Sequence, residues 1–236
     1  VAGRSADYQF ESDTYQLTQK VDSTDGLLWA VYNKATPVFV SANSVAEQVY
    51  NKAKQILRQI CDDEMTDFEK ALAIHDYVVM NVSYDHTSLS TALQDHQMRY
   101  SHFLEYAMLN NVGVCDAYAK MFMLLCNMEG IKTIMISGAT NANDITGTGH
   151  AWNKIYLDAN ADGQKEWYAV DCTWDDGTSP LGTGTYEVLS RKYFLIPESY
   201  IGTRYEEKDY PDATTANGTY YSQFKFNNIS VTVTSV

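Results

Sequence analysis

Three residues of this sequence carry side chains that together can activate a thiol: Cys115, His150 and Asp171. Cys115 follows the segment 112–114 and precedes an apolar pattern of helical period, so it falls at the start of a predicted helix. The unpaired N–H groups and the positive dipole end at such a start favour a thiolate. They can lower the pKa of a cysteine well below its free value of about 8.5. A lone cysteine there is more often a small core residue, so its reactivity depends on a base.

That base has to come from one of five histidines. His150 is the best candidate because it begins a predicted strand directly after the glycine-rich approach at 147–149. His75 lies on the apolar face of a predicted helix, where a structural histidine with satisfied hydrogen bonds is the more common case. The remaining three histidines lie in or beside a polar loop: His86, His96 and His102. Their spacing does not match a metal site carried on a helix, so a metal site within the loop is the one that stays open.

The turn signal at 158–163 places Asp171 near His150. An antiparallel hairpin centred on this turn would put the two residues directly opposite each other, with Cβ atoms about 4.5–5.5 Å apart. The carboxylate could then bind one imidazole nitrogen, fix the tautomer and leave the other nitrogen for the thiol. A register shift of one residue would separate them on opposite faces, and a shift of two would leave them diagonal neighbours.

Two capping boxes mark the helices that precede Cys115. Ser44 with Glu47 begins one amphipathic helix, and Thr66 with Glu69 begins a second. A short helix is predicted over 102–110.

The helix after Cys115 is predicted to end near Met128. Gly113 permits a tight turn before this helix, and Gly130 is suited to its C-terminal cap. Cys126 returns to nearly the same helix face three turns later, which favours a core position.

After this helix the apolar period becomes alternating, which predicts strands over 132–138, 150–157 and 166–174. Helices followed by antiparallel strands indicate an α+β fold. The segment 27–41 also has strand character, with Pro37 indicating an edge or an irregular stretch.

Three segments together resemble the transglutaminase-like superfamily of papain-type thiol enzymes: GVCDAYAKMF, GHAWNKIYLD and WYAVDCTWDD. That family carries a cysteine at a helix start, and then a histidine and an aspartate on consecutive strands. The segments 70–85 and 191–211 extend the resemblance, so that it covers residues 45–211.

The resemblance implies a papain/transglutaminase-like core, with helices packed on an antiparallel β-sheet and the nucleophile at a helix N-terminus. By position, Cys115 is expected to be the nucleophile, His150 the general base and acid, and Asp171 the residue that orients His150. The backbone N–H of Cys115 is one expected oxyanion donor.

Two further residues are candidates for the substrate cleft or the oxyanion site. Tyr84 lies at the end of the helix that precedes the cysteine loop. Trp152 shares the face of His150 by period two and could wall the cleft, whereas Trp174 is expected to belong to the packing that ends its strand.

The sequence predicts three regions. They are a strand-rich N-terminal extension at 1–44, a catalytic core at 45–211 and a β-rich C-terminal tail at 212–236 that packs on the core. The core is long enough to be stable without disulfides or metals. If Cys115 is a nucleophile, at most one disulfide can form among the remaining thiols, Cys61, Cys126 and Cys172.

Composition narrows the class of partner. The 236-residue chain has a net charge of −13, which disfavours nucleic acid. It has no run of the roughly 20 apolar residues that a membrane helix needs.

The composition also bears on where the protein is found. A low content of lysine with many tyrosine, asparagine and threonine residues is typical of bacterial extracellular proteins. The chain begins at Val1 and shows no signal peptide, so we expect a secreted or cell-surface protein whose signal segment has been removed.

No cofactor is required by this chemistry, but the turn at 158–163 also resembles the start of a calcium loop. Asp158, Asn160 and Asp162 stand where such a loop has ligands. Its twelfth position is Ala169 and not glutamate, so a plain hairpin turn is the preferred interpretation.

The leading functional hypothesis is acyl transfer on amides of protein or peptide substrates, cell-wall peptide among them. Water as acceptor gives proteolysis or deamidation, and an amine gives transglutamination; the sequence does not choose between them. The alternatives are an inactive module that binds peptide or glycan at the cell surface, and a purely structural surface domain with the tail as its contact surface.

Overall fold

A computed structural model of the protein describes residue 4, residues 8–86, 100–139, 149–181, 184–197 and 205–206, and residues 211 and 213. The helices are α1 (Glu11–Thr14), α2 (Thr24–Tyr32), α3 (Val45–Ile60), α4 (Asp67–Asn81), α5 (Leu104–Asn110), α6 (Cys115–Met128) and α7 (Cys172–Asp175). The strands are β1 (Leu17–Val21), β2 (Ala35–Phe39), β3 (Ser83–Tyr84), β4 (Val112–Gly113), β5 (Thr133–Ala139), β6 (Gly149–Leu157), β7 (Glu166–Val170), β8 (Asp176–Leu181), β9 (Gly184–Leu189) and β10 (Tyr205–Glu206). Across these ranges, no helix combines the length and the apolar character needed to cross a membrane.

The predicted helices begin where their caps place them. The hydroxyl of Ser44 accepts a hydrogen bond from the N–H of Glu47 at the start of α3. Thr66 and Glu69 form a complete capping box at the start of α4. Each cap satisfies N–H groups that have no partner inside the helix, which stabilises the start by roughly 1 kcal/mol.

Helix α6 packs on the sheet and forms the centre of the core. Most of its residues are buried, among them Tyr118, Phe122 and Cys126, which have no exposed surface. The main sheet has the strand order β10-β5-β6-β7 and is antiparallel throughout. The predicted α+β fold, with helices on an antiparallel sheet, is confirmed.

All four cysteines are free and buried. Cys61, Cys126 and Cys172 are almost fully enclosed in the core, and burial raises the pKa of each thiol. The expectation that Cys126 is a core residue is confirmed by this burial.

The N-terminal region is less strand-rich than predicted. Residues 24–32 form helix α2, because Ser23 caps the helix by accepting a hydrogen bond from the N–H of Gly26. Its apolar residues Leu27 and Leu28 are buried in the same core as α6. Pro37 lies in β2, which, among the described strands, pairs with β1 alone in a two-stranded parallel sheet, as expected for an edge strand.

The β6–β7 hairpin is shifted by two residues from the predicted register. Asn153 pairs with Val170, whereas the prediction put Val170 opposite Ala151. The cause is a longer turn, in which the carboxylate of Asp158 accepts two backbone N–H groups at 3.3 and 2.8 Å. The strand also ends earlier than predicted, at Val170, and the chain continues into the helical turn α7.

Gly113 does not make the tight turn predicted before α6. That turn is made by Asn111, which has a left-handed φ of 59°. Gly113 instead pairs with Tyr84 between β3 and β4. A Cβ atom on Gly113 would lie 2.8 Å from the Cβ of Ala117 and 3.4 Å from the carbonyl oxygen of Ser101. Glycine is therefore needed for a close approach of chain segments at the start of α6.

Two predicted features lie largely outside the described residues. They are the polar loop at 85–100, of which the structure describes 85, 86 and 100, and the tail at 212–236, of which it describes only Ala213. Ala213 is buried against Ala169 and Ile196. The packing of the rest of the tail stays a prediction.

Replacing Gly113 with alanine should destabilise the fold, because the new methyl group would overlap Ala117 in rigid backbone surroundings. We expect the free energy of unfolding in urea to fall by about 1–3 kcal/mol. Gly149→Ala is the matched control, since it also adds a methyl group beside a candidate catalytic residue. Its nearest contact would be an ordinary 3.9 Å, and the proposed cause is wrong if both variants lose the same stability.

The turn at 158–163 should not bind calcium. The carboxylate of Asp158 is engaged by backbone N–H groups, and the amide of Asn160 donates to Asp162. Calorimetry should give no heat of binding at millimolar calcium, and a saturable heat lost in Asp158→Asn would contradict this prediction.

Candidate active site

Cys115 is the first residue of α6, directly after the extended residue Val114. Its side chain packs with Ala119 and Ala151, and 8% of the residue surface is exposed. The backbone N–H groups of Ala151 and Asp116 point at the sulfur and stabilise its charged form. The nucleophile candidate therefore lies where the start of α6 meets strand β6, in contact with Ala151, the residue that follows His150.

His150 and Asp171 form a buried hydrogen bond. His150 Nε2 lies 2.8 Å from Asp171 Oδ2, and neither side chain is more than 7% exposed. Asp171 also caps α7, because its Oδ1 accepts a hydrogen bond from the N–H of Trp174 at 3.1 Å. The bond to Nε2 leaves His150 Nδ1 available for a proton from elsewhere.

Two indole rings flank His150. The ring centroid of Trp152 lies 5.9 Å from that of His150, and that of Trp174 lies 5.2 Å away, both nearly parallel to the imidazole. Trp152 is 1% exposed and Trp174 is 37% exposed, so that Trp174 presents the more accessible indole beside His150. The helical turn after Asp171 causes this difference, since it turns Trp174 towards His150 at the surface. A role of Trp152 in the wall of a cleft stays a prediction.

The expected lowering of the Cys115 pKa does not occur. Burial, and then the charge of Asp116, raise the pKa of the Cys115 thiol to about 12. They outweigh the helix start and the two backbone N–H groups that favour the thiolate. The thiol donates its hydrogen bond to Asp116 Oδ1 at 3.4 Å. The helix start alone would lower this pKa, but the carboxylate of the next residue lies beside the sulfur and has the opposite effect.

Tyr84 lies close to the nucleophile without a defined catalytic contact. Its ring is half-buried beside those of His86 and Tyr118. Burial, and then the charge of Cys115, raise the pKa of the Tyr84 phenol to about 12. A role in the oxyanion site stays a prediction.

Asn153 ties the histidine strand to the nucleophile helix and was missed by sequence reasoning. Its side-chain amide donates to the carbonyl oxygens of Ala119 in α6, at 2.9 Å, and Ile134 in β5, at 3.2 Å. Tyr118 similarly joins α6 to the end of α4, donating to the carbonyl of Val82 at 2.7 Å. The sequence feature by which Asn153 could have been identified is a polar residue within an otherwise apolar strand.

A second buried histidine supports the turn that carries Asp171. His75 Nε2 lies 3.1 Å from Asp175 Oδ2, and its Nδ1 lies 3.2 Å from Asp76 Oδ1. Asp175 in turn accepts a hydrogen bond from the hydroxyl of Ser190 at 2.8 Å. Burial alone would lower the pKa of His75, but the two carboxylates raise it. These contacts are consistent with the predicted structural role of His75. An imidazole that lies between two carboxylates donates a hydrogen bond from each of its nitrogens.

The stability of the protein should depend on the charge of His75. Its pKa is raised on folding, so the folded state binds more protons above the unfolded value of about 6.5. The free energy of unfolding should be greatest below this pH and fall as the pH rises through the folded pKa. Urea unfolding between pH 6 and 8 should show this decline in the wild type and a shallower one in His75→Gln. Identical slopes of the free energy of unfolding against pH in the two proteins would contradict a charged His75 in the folded state.

A family model described as the transglutaminase-like superfamily matches residues 54–172, which include all three triad candidates. The chain is similar to the structure of a provisionally assigned cysteine protease from Cytophaga hutchinsonii, with 19% identity and a TM-score of 0.40 over 67% of this chain and 41% of the other. It is also similar to a structure of a TGase, with 19% identity and a TM-score of 0.41 over 54% of this chain and 31% of the other. The chain thus spans less than half the length of either protein. Comparison with curated proteins gives no match.

Proposed function

Because this chain belongs to the transglutaminase-like superfamily, we propose that it transfers acyl groups from the amides of protein or peptide substrates. The acyl-enzyme would form on Cys115. The observation that carries the proposal is the buried 2.8 Å bond between His150 and Asp171, on a strand whose next N–H points at the Cys115 sulfur. A histidine so oriented is the partner that a thiol nucleophile needs.

The first half of the reaction uses the free nitrogen of His150. As the Cys115 sulfur attacks the amide carbonyl, its proton passes to His150 Nδ1 while Nε2 stays bonded to Asp171. The carbonyl oxygen becomes negative and is stabilised by the backbone N–H of Cys115 at the helix start. The C–N bond then breaks, and His150 gives its proton to the leaving amine.

The second half returns the thiol. Water or an amine attacks the thioester carbonyl and gives a proton to His150. The C–S bond then breaks, the acid or the new amide is released, and His150 returns the proton to the sulfur. Attack by water is proteolysis or deamidation, and attack by an amine is transglutamination. The same residues support each outcome, so the acceptor is set by what reaches the thioester.

The proposed substrates are protein or peptide, cell-wall peptide among them, met outside a bacterial cell. The acidic surface supports this choice, since a net charge of −13 disfavours polyanionic partners. The half-exposed indole of Trp174 offers an apolar surface beside the catalytic imidazole.

One observation favours a second candidate, a non-catalytic module that binds peptide or glycan. The pKa of the Cys115 thiol is raised to about 12, so the resting sulfur is protonated and a weak nucleophile. In that case the cleft at the helix start would hold a ligand without reacting with it.

The two candidates separate in a peptide-library assay that compares wild type with Cys115→Ala. We expect amide turnover, and an acyl-enzyme detectable by intact-mass spectrometry, in the wild type only. Asp171→Asn should lower turnover by about 10³–10⁴-fold, because the histidine would lose its oriented tautomer. Circular dichroism should show that both variants are folded.

Cys61→Ala is the matched control, since it removes a buried thiol away from the proposed site. It should retain turnover. Turnover that survives in Cys115→Ala would overturn the nucleophile assignment. Peptide binding by a wild type that shows no turnover would favour the binding module.

A further inference from the structure

A second carboxylate competes for the Cys115 thiol. Asp116 Oδ1 lies 3.4 Å from the sulfur and accepts its hydrogen bond. The other oxygen of the same group, Oδ2, lies 3.0 Å from Nδ1 of His102. The sulfur, the carboxylate and a second imidazole therefore form a continuous chain that includes neither His150 nor Asp171.

The segment that carries His102 is anchored to the nucleophile helix. The carbonyl oxygen of Ser101 accepts a hydrogen bond from the N–H of Val114 at 2.8 Å. The carbonyl oxygen of His102 accepts one from Nζ of Lys120 at 3.1 Å. These two contacts hold the backbone of residues 101 and 102 beside the start of α6, from where the His102 side chain reaches Asp116.

We propose that Asp116, held by His102, is a positioning residue that retains the thiol proton on Cys115 in the resting protein and so limits its reactivity. The proposal rests on the proposed role of Cys115 as nucleophile. In the resting protein the thiol donates its hydrogen bond to Asp116, and in the reaction it gives its proton to His150.

The charges around Asp116 support this role. Burial alone would raise the pKa of Asp116, but His102, Cys115 and Lys120 together lower it, which keeps the carboxylate charged. A negative charge beside the sulfur opposes formation of a thiolate. On β3, Tyr84 also interacts with both Cys115 and Asp116, and Asp85 follows it in the chain.

Reaction then requires the thiol to exchange acceptors. The S–H bond breaks, an N–H bond forms on His150 Nδ1, and Asp116 remains a carboxylate throughout. No co-reactant is needed, because only one proton moves. A thiol held in this way is protected from oxidation and alkylation while no substrate is bound, since the thiolate is the reactive form.

The test is the pH dependence of iodoacetamide alkylation at Cys115, followed by peptide mass spectrometry. In Asp116→Asn the thiol should become more acidic and be alkylated faster than wild type at pH 7.5. Each unit of lowered pKa should raise the rate about three- to fourfold, because lower nucleophilicity offsets part of a tenfold gain in thiolate. In the wild type the midpoint of the profile should lie above the free value of about 8.5.

Asp25→Asn is the matched control, since Asp25 is also the second residue of a helix, α2, and the change in net charge is the same. It should be alkylated at the wild-type rate. An Asp116→Asn rate that is no faster than wild type would overturn the proposal. So would a wild-type midpoint at or below 8.5, and this second measurement decides the matter if Asp116→Asn does not fold.

The assay separates this inference from the proposed function. Faster alkylation of Asp116→Asn without amide turnover in the wild type would retain the role of Asp116 and reject catalysis. Amide turnover in the wild type, with Asp116→Asn alkylated at the wild-type rate, would support catalysis and reject the role of Asp116.

Discussion

The hydrogen bond between His150 and Asp171 is the contact on which the arrangement of the site depends. A carboxyl group with no exposed surface has to be satisfied by donors, and Asp171 receives them from two elements, β6 and α7. The bond therefore fixes the strand, the turn that follows β7 and the imidazole together. Asn153 then ties that strand to the helix of Cys115. Cys115 and His150 are therefore positioned by polar contacts within an apolar core.

A second buried group of charged residues supports the turn that carries Asp171. His75 between Asp76 and Asp175 holds the far end of the turn that begins at Asp171. Breaking one partner of such a buried network is costly, because it leaves an uncompensated charge. The turn is thereby held at both ends, by His150 at its start and by His75 at its end.

Local patterns predicted much of this structure. The capping residues Ser44 and Thr66 located two helices, and the change from helical to alternating period located the sheet. These predictions succeeded because caps and periodicity act over a few neighbouring residues. The same reasoning placed His150 and Asp171 close together, although it gave their register wrongly by two residues.

The errors have two physical causes. The β6–β7 turn is longer than predicted where the Asp158 carboxylate accepts backbone N–H groups, and residues 24–32 are helical where Ser23 supplies a cap. These contacts span five residues or fewer, so the sequence does contain their signals, in competition with the strand-like apolar pattern and the turn signal beside them. The rise in the thiol pKa is different, because burial is its largest cause. Burial depends on which groups meet in space, and a linear pattern does not contain that information.

The stacking of His150 between Trp152 and Trp174 has a consequence for the orientation of its ring. A 180° rotation about the Cβ–Cγ bond would put Cδ2 in the place of Nδ1 and Cε1 in the place of Nε2, so that a C–H group would face Asp171. Because both indoles lie nearly parallel to the imidazole, at 5.9 and 5.2 Å between ring centroids, such a rotation would move the edges of the imidazole towards them. The two indoles therefore favour the ring orientation that keeps Nε2 at the carboxylate, although neither of them takes part in proton transfer. A smaller residue in place of Trp174 would remove one of these barriers while Cys115, His150 and Asp171 all remained in the sequence.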